Sequence, residues 1–499
     1  MRKLLLATAA MMGASVGMAS HAFAQVQNDT SGDSVVTLSD SSGQSASDST
    51  DGQAMQSPGT VTVRLNGRYR FYVGVQSYGA GRTSNFTGAS AATAGTGAGA
   101  VANSNQGINK LANYGTMQYA RLYPGFDGVA ANGLKYGASL EIREEGNAGA
   151  GGGVFGSVSG AERSTAAPYF RRQFGYLGTD QLGTLRVGSS DGVSSLFLIG
   201  SFENFDGGGW DGDIPEMLPG SNVLNWAFTD AGGGYTTEKI VYLSPQFYGF
   251  DFGVDWEPTT ENGGQGSGAC GGYEFASGNI ISAGSGVASP GCNELSASST
   301  SDQKRRRNEV EAAIRYRGTF GPVGLATSLA LNHSAHVLYD GVPSTTHVQT
   351  FQDLNYGQFG LTATYAGLMV GGVIKMGDFD GAPDNLSPSG AKMSTAWVAG
   401  ASYTIGPVIM GASWFDYIHP NGVAPSLTVG SLREQGAAAG ATYSLAPGVS
   451  LIASYLWGQQ KQNGVNLQQN VVNSAGGFSA TQNNKVHEQV FAVGTSFAW

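Results

Sequence analysis

Past residue 24 the chain contains no apolar run approaching the ~20 residues that a membrane-crossing helix requires. Any membrane crossing must then use strands, and because lipid offers no partner to an open sheet edge, those strands must close into a barrel. Charge is scarce: Asp, Glu, Lys and Arg make up 12% of the residues, against about 25% in ordinary soluble domains. The balance is acidic, 36 acids to 26 bases, which argues against a nucleic-acid partner. Cysteine is nearly absent, and Cys270 and Cys292 do not join His333, His336 or His347 in a spacing suited to a metal. Basic residues vanish entirely between Arg186 and Lys239.

Glycine is abundant instead, 78 of 499 residues, with 21 Tyr and 23 Phe, a composition that suits a lipid-facing β-barrel better than a soluble enzyme. Residues 1–24 read as a secretory signal. Arg2 and Lys3 are its basic start, Leu4–Met18 its short apolar run, and Ala22-Phe23-Ala24 a small-x-small cleavage site before Gln25. Its removal leaves 24 bases against 36 acids, a net charge of −12. Residues 25–59 hold five Asp and no Lys or Arg in a Ser- and Gly-rich background. They cannot bury enough apolar surface to fold alone and read as a disordered periplasmic spacer.

From residue 60 onward the side chains alternate. In 61–75 one face carries Val61, Val63, Leu65, Tyr69, Phe71 and Val73, the other Thr62, Arg64, Asn66, Arg68, Arg70 and Tyr72. Successive strand residues point to opposite faces, so an apolar-aromatic band backs onto a row of arginines. The pattern recurs at 115–127, 132–145, 167–178, 183–188, 236–245, 249–257, 307–320 and 323–334, then at 355–366, 368–377, 393–405, 407–418, 431–444, 449–459 and 485–499. These are sixteen strands, an even number in the range of outer-membrane barrels. The connections alternate too, from single residues such as Gly367 and Gly406 to long segments such as 258–306. Short periplasmic turns and long extracellular loops are what such barrels have. The last strand ends in the stripe Phe491, Val493, Thr495, Phe497, Trp499, and must pair with the first to leave no edge. The expected fold is therefore all-β, a transmembrane antiparallel 16-stranded β-barrel over 60–499, in the outer membrane of a Gram-negative cell.

The cation-free interval is the exception. Residues 189–235, the third long connection, hold Asp191, Glu203, Asp206, Asp211, Asp213, Glu216 and Asp230, with Phe202, Phe205, Trp210 and Trp226. That is too aromatic for a solvated linker, and an acidic, aromatic-anchored insert among basic strands is what a pore constriction needs. The expectation is that this loop folds into the barrel and narrows it.

Local motifs resemble the general diffusion porins of Gram-negative bacteria, the sixteen-stranded trimeric family. They are Tyr119-Ala-Arg-Leu, Leu182-Gly-Thr-Leu-Arg-Val-Gly188 before the third loop, and Tyr242-Leu-Ser-Pro-Gln-Phe-Tyr-Gly-Phe250 after it. The terminal aromatic also fits, although Trp499 stands where family members usually close on Phe. The resemblance implies an inward-folded third extracellular loop whose acids face a basic wall. Carried over, the loop acids are Asp191, Glu203, Asp206, Asp211, Asp213 and Glu216, and the best-matched wall residue is Arg121. Arg64, Arg68, Arg70, Arg143, Arg171 and Arg186 follow by strand parity. It further implies a homotrimer, and passive diffusion of small hydrophilic solutes and ions without cofactor or catalysis. Outer-membrane lipid and lipopolysaccharide would surround the barrel. The acid excess suggests mild cation preference, since charged rings decide which ions pass.

Rival readings are a sugar- or anion-selective channel, which would show aromatic rows along the lumen, and a non-conducting surface adhesin. Gly188-Ser-Ser-Asp-Gly192 matches G-x-S-x-G, but that motif needs a strand-turn-helix setting, whereas here a strand opens into a long loop. Asp206–Asp213 lacks the ordered oxygen ligands of a calcium loop. Cys270 and Cys292 share one long loop, where a structural disulfide would contribute about 3 kcal/mol.

Overall fold

The computed structural model describes residues 59–78, 113–145, 168–202, 204–206, 209–211, 214–218, 224–228, 236–259, 306–336, 352–381, 386–420, 430–463, 465–467, 471–472 and 484–499. The expected signal, the expected spacer up to residue 58, both cysteines, His347 and Asp230 lie outside them. In chain order the elements are β1 (Val61–Tyr78), β2 (Tyr114–Val129), β3 (Lys135–Glu145), β4 (Tyr169–Thr179), β5 (Gly183–Asp191) and the one-turn helix α1 (Val193–Leu196). There follow β6 (Thr236–Leu243), β7 (Phe250–Thr259), β8 (Arg306–Phe320), β9 (Val323–His336), β10 (Leu354–Tyr365) and β11 (Leu368–Asp378). The last are β12 (Ser394–Ile405), β13 (Val408–His419), β14 (Leu432–Ala446), β15 (Val449–Lys461), β16 (Val465–Asn466), β17 (Val471–Val472) and β18 (Lys485–Ala498).

Sixteen strands form one closed barrel, each hydrogen-bonded antiparallel to its chain neighbour, with β18 returning to β1. β16 and β17 make a separate two-stranded ladder within the last long connection, which the alternation did not foretell. Period-two patterning explains the architecture strand by strand. In β10, Tyr356, Gln358 and Thr362 are buried while Phe359 and Leu361 are 46% and 42% exposed. The exposed face is apolar and the buried face polar, the reverse of a soluble sandwich and the arrangement that lipid demands.

Closure is built from the chain ends. Tyr69 registers with Phe497, and Gly67 and Trp499 exchange both backbone hydrogen bonds at 3.1 Å. A Cβ at Gly67 would stand 2.2 Å from the Trp499 indole, so the terminal tryptophan fits because residue 67 has no side chain.

Two departures from simple alternation bear on the site. β5 runs on through Asp191 instead of ending at Gly188, so Asp191 belongs to the wall and not to the loop. In β4 the register shifts by one residue opposite Glu141 and Ile142. This bulge turns two consecutive residues, Arg171 and Arg172, to the same buried face.

Candidate functional site: a loop seated on a charged barrel wall

The chain leaving β5 lies against the buried face of the strands. The N–H of Val193 donates to Asp255 Oδ2 at 2.6 Å and that of Ser194 to Glu311 Oε2 at 2.7 Å. Two wall carboxylates thus satisfy first-turn donors of α1 that have no partner within the helix. Tyr356 donates to Ser194 Oγ (3.1 Å), Gln358 to the Ser194 carbonyl (3.2 Å) and Arg315 to the Leu196 carbonyl (3.3 Å). The Arg315 guanidinium also stands 4.6 Å from the Phe197 ring centre.

Beyond α1 the segment follows wall glycines. A Cβ at Gly360 would come within 2.0 Å of the Ile199 carbonyl oxygen, one at Gly400 within 2.8 Å of Phe202, and one at Gly411 within 2.5 Å of Phe205. Asp206 occupies the space over Gly440, Trp210 that over Gly436 and Gly458, and Met217 that over Gly74. The close approach at each strand exists because the wall residue has no side chain. Part of the glycine excess is therefore a seat, running from β10 through β15 to β1. The aromatics hold the far end: Trp210 and Trp226 meet Phe415 edge-on with ring centres 5.6 and 5.2 Å apart. Asn225 donates to Glu434 at 3.1–3.3 Å from both its backbone and side-chain nitrogens.

The wall charges are segregated. On β1–β5, Arg68, Arg70 and Arg121 stand 5.4, 5.8 and 4.8 Å from the Tyr119 ring centre. Glu141 receives Arg143 (2.5 Å), Arg171 (2.8 Å) and Arg172 (2.6 Å), and Asp191 receives Arg172 (2.7 Å) and Arg171 (3.4 Å). Arg186 lies over Phe174, 5.0 Å from its centre, and half-buried Arg64 is paired with Asp127. On β7–β8 the sign reverses: Asp255, Glu257, Glu309 and Glu311 are all buried on one face. Lys239 is 3.3 Å from Glu257, and Asn332 donates to Glu309 (2.6 Å) and Glu311 (2.8 Å).

Strand parity therefore brings together the wall arginines Arg64, Arg68, Arg70, Arg121, Arg143, Arg171 and Arg186. Arg172 escapes it, because a bulge has no signature in period-two reading. The acids of β7 and β8 are visible as alternation, but nothing in the chain marks them as partners of a distant loop. Of the six loop acids, Asp191 is ion-paired on β5, and Asp206 accepts from Ser454 (2.9 Å) and from the Gly209 N–H (2.6 Å). Glu203 and Asp213, and the side chains of Asp211 and Glu216, lie outside the described residues.

The minor motifs stay minor. The strand does turn into a short helix after Gly192, contrary to the open loop expected there, but Ser190 donates to the Asp191 carbonyl at 3.3 Å rather than to a base. His333 is exposed and 2.7 Å from Asn355, and no metal-holding group of His, Cys, Asp or Glu occurs among the described residues.

Removing both helix-binding carboxylates, Asp255→Ala with Glu311→Ala, is expected to free α1 while the barrel persists. Each charge-assisted bond contributes about 1.5–3 kcal/mol. Limited proteolysis at low protease should then cut within 193–202, with the heat-modifiable barrel band retained; an unchanged cleavage rate would refute the anchoring role.

A closed antiparallel barrel with an apolar outside, a charged inside and a long connection laid on that inside defines a membrane-spanning channel protein. The family model for Gram-negative porins matches residues 7–463, and the chain belongs to that family. It is an outer-membrane diffusion channel, and family and fold are those of channels rather than of enzymes. Among solved structures it is similar to the anion-selective porin from Comamonas acidovorans, at 13% identity over 88% of this chain and 100% of that one, TM-score 0.49. It is also similar to OmpF of Salmonella typhi in complex with daunomycin, at 12% identity over 88% and 97%, TM-score 0.48. No curated protein matches it.

Proposed function

We propose that residues 192–228 form the constriction of the channel, and that small hydrophilic solutes and ions diffuse past it between the basic wall of β1–β5 and the acids of the loop and of β7–β8. The observation that supports this reading is the glycine seat: the segment contacts inward-facing positions from β7 round to β1, so it follows the inner wall and takes up space within the barrel. Opposed rows of charge across a narrow aqueous gap orient dipolar solutes and disfavour apolar ones. The acids are those of the loop, Asp206 among them, joined by Asp255, Glu257, Glu309 and Glu311, and the acid excess gives mild cation preference. The arginines Arg64, Arg68, Arg70, Arg121, Arg143, Arg171 and Arg186, with Arg172, both set the field and hold its acids in place.

A solute-selective channel would need aromatic rings facing the bore. Here Tyr356, Phe379 and Tyr417 are consecutive neighbours, 5.9 and 5.7 Å between ring centres, but all are buried. The reading extends to a homotrimer, to a signal of 1–24 removed on export, to a periplasmic spacer of 25–59, and to lipopolysaccharide as outer-leaflet neighbour.

Planar-bilayer recording of the detergent-purified protein in a KCl gradient tests it. Stepwise currents with a reversal potential displaced from zero toward cation preference are expected, with closures in groups of three. A silent membrane with a correctly folded barrel would refute the channel and favour a surface adhesin.

A further inference from the structure

The outer face of the barrel carries almost no positive charge, with one exception. Among the described residues, every strand Lys or Arg whose side chain is described lies on the inward face except three: Arg433, Lys461 and Lys485. These three are direct cross-strand neighbours. Arg433 registers with Lys461 across β14–β15, and Lys461 with Lys485 across β15–β18. All three are exposed, at the end of the barrel that carries the long connections. One row below, Gln435, Gln459 and His487 continue the same outward face. Below those, Trp414 and Trp457 stack with ring centres 5.7 Å apart, reaching across the Ala437 of the strand between them.

Like charges placed directly opposite one another destabilise a sheet, and a hydrocarbon-facing surface makes each charge costlier still. Asp416 relieves only the first of the three, accepting from Arg433 Nε at 3.0 Å and from its NH2 nitrogen at 2.5 Å. Among the described residues no carboxylate is registered against the lysine pair on this face: its neighbours one row down are Gln459 and His487. A row of cations above stacked indoles is the order in which a lipid monolayer presents phosphate and then acyl chain. Interfacial Trp rings sit at the headgroup level, and basic clusters attract anionic headgroups electrostatically.

We propose that Lys461 and Lys485, with Arg433 held beside them by Asp416, bind the phosphates of a phosphorylated glycolipid of the outer leaflet. The proposal rests on the outer-membrane reading and gives it a location: β14, β15 and β18 form the face on which one such lipid is retained.

The test uses the full-length purified protein and its Lys461→Gln/Lys485→Gln double variant, which leaves the Arg433–Asp416 pair and the bore untouched. Native mass spectrometry in detergent, titrated with diphosphoryl lipid A, with its fully dephosphorylated form and with inorganic phosphate, reads what is retained. Wild type should hold the diphosphoryl lipid about tenfold more tightly than the variant, should hold the dephosphorylated lipid no better than the variant does, and should not lose lipid to millimolar inorganic phosphate. Equal retention by both proteins would overturn the proposal, as would full competition by free phosphate. So would a variant that changes oligomeric state with lipid retention unchanged, since the row would then face a second copy. Conductance recorded on the same samples keeps the two readings apart: channels that conduct normally in both proteins leave the lipid result to stand or fall alone.

Discussion

Gly411→Leu combined with Gly440→Val is expected to raise single-channel conductance severalfold and to flatten ionic selectivity, in a barrel that still folds. Both glycines face inward, and a Cβ there would meet Phe205 at 2.5 Å and the Asp206 Cβ at 2.7 Å. Neither space can be shared, so either the wall or the loop must move. The wall is held by ladders on both sides of β13 and β14, whereas the described residues of the loop between α1 and β6 form only single helical turns. Overpacking costs about 1–3 kcal/mol per site, and locally weak elements open before strong ones. The loop therefore lifts off. Bilayer recording measures the conductance, and the heat-modifiable gel shift reports the barrel. Unchanged conductance with both side chains in place would mean that the segment does not set the bore.

Glu141→Gln should have the largest effect on stability among the wall charges. This carboxylate is buried and receives Arg143, Arg171 and Arg172 at 2.5–2.8 Å. Removing one partner from a buried network costs about 3–5 kcal/mol, because the remaining charges are left uncompensated. Urea unfolding in detergent should show a loss near the lower end, since the bore admits water. The basic wall also gains one net positive charge, so the reversal potential should move toward anions. Adding Arg172→Gln removes that charge again and should recover both quantities in part, a coupling that a double-mutant cycle isolates. If the double variant were as unstable as the sum of the two singles, the network would be a coincidence of proximity.

Legibility followed the physics of each feature. The barrel strands were readable within a few residues at either end because a lipid-facing sheet writes its fold as alternation: Phe359 out and Gln358 in, repeated round the barrel. Arg68, Arg70 and Arg121 could be placed on one wall for the same reason. What parity could not carry was any break in parity, hence the missed Arg172 at the β4 bulge. Nor could it carry contacts between strand and loop. That Asp255 and Glu311 would bind the backbone of Val193 and Ser194 depends on which side of the bore the loop follows. The wall glycines are similarly mute in sequence: Gly411 and Gly440 look like any other glycine until Phe205 and Asp206 are seen in the space above them.

The seat of the loop also imposes an order in time. Asp206 meets Ser454 across 248 residues of chain, and Asn225 meets Glu434 across 209, and nearly all the strands that receive the loop are later in sequence than the loop itself. Contacts so remote cannot form until the intervening ladder has closed the distance. While β10–β15 are still unpaired, residues 192–228 have nowhere to lie, and their aromatic side chains are carried through assembly uncovered. A slow step in adding the last strands would therefore prolong a state in which the loop has no seat and its aromatic side chains no cover.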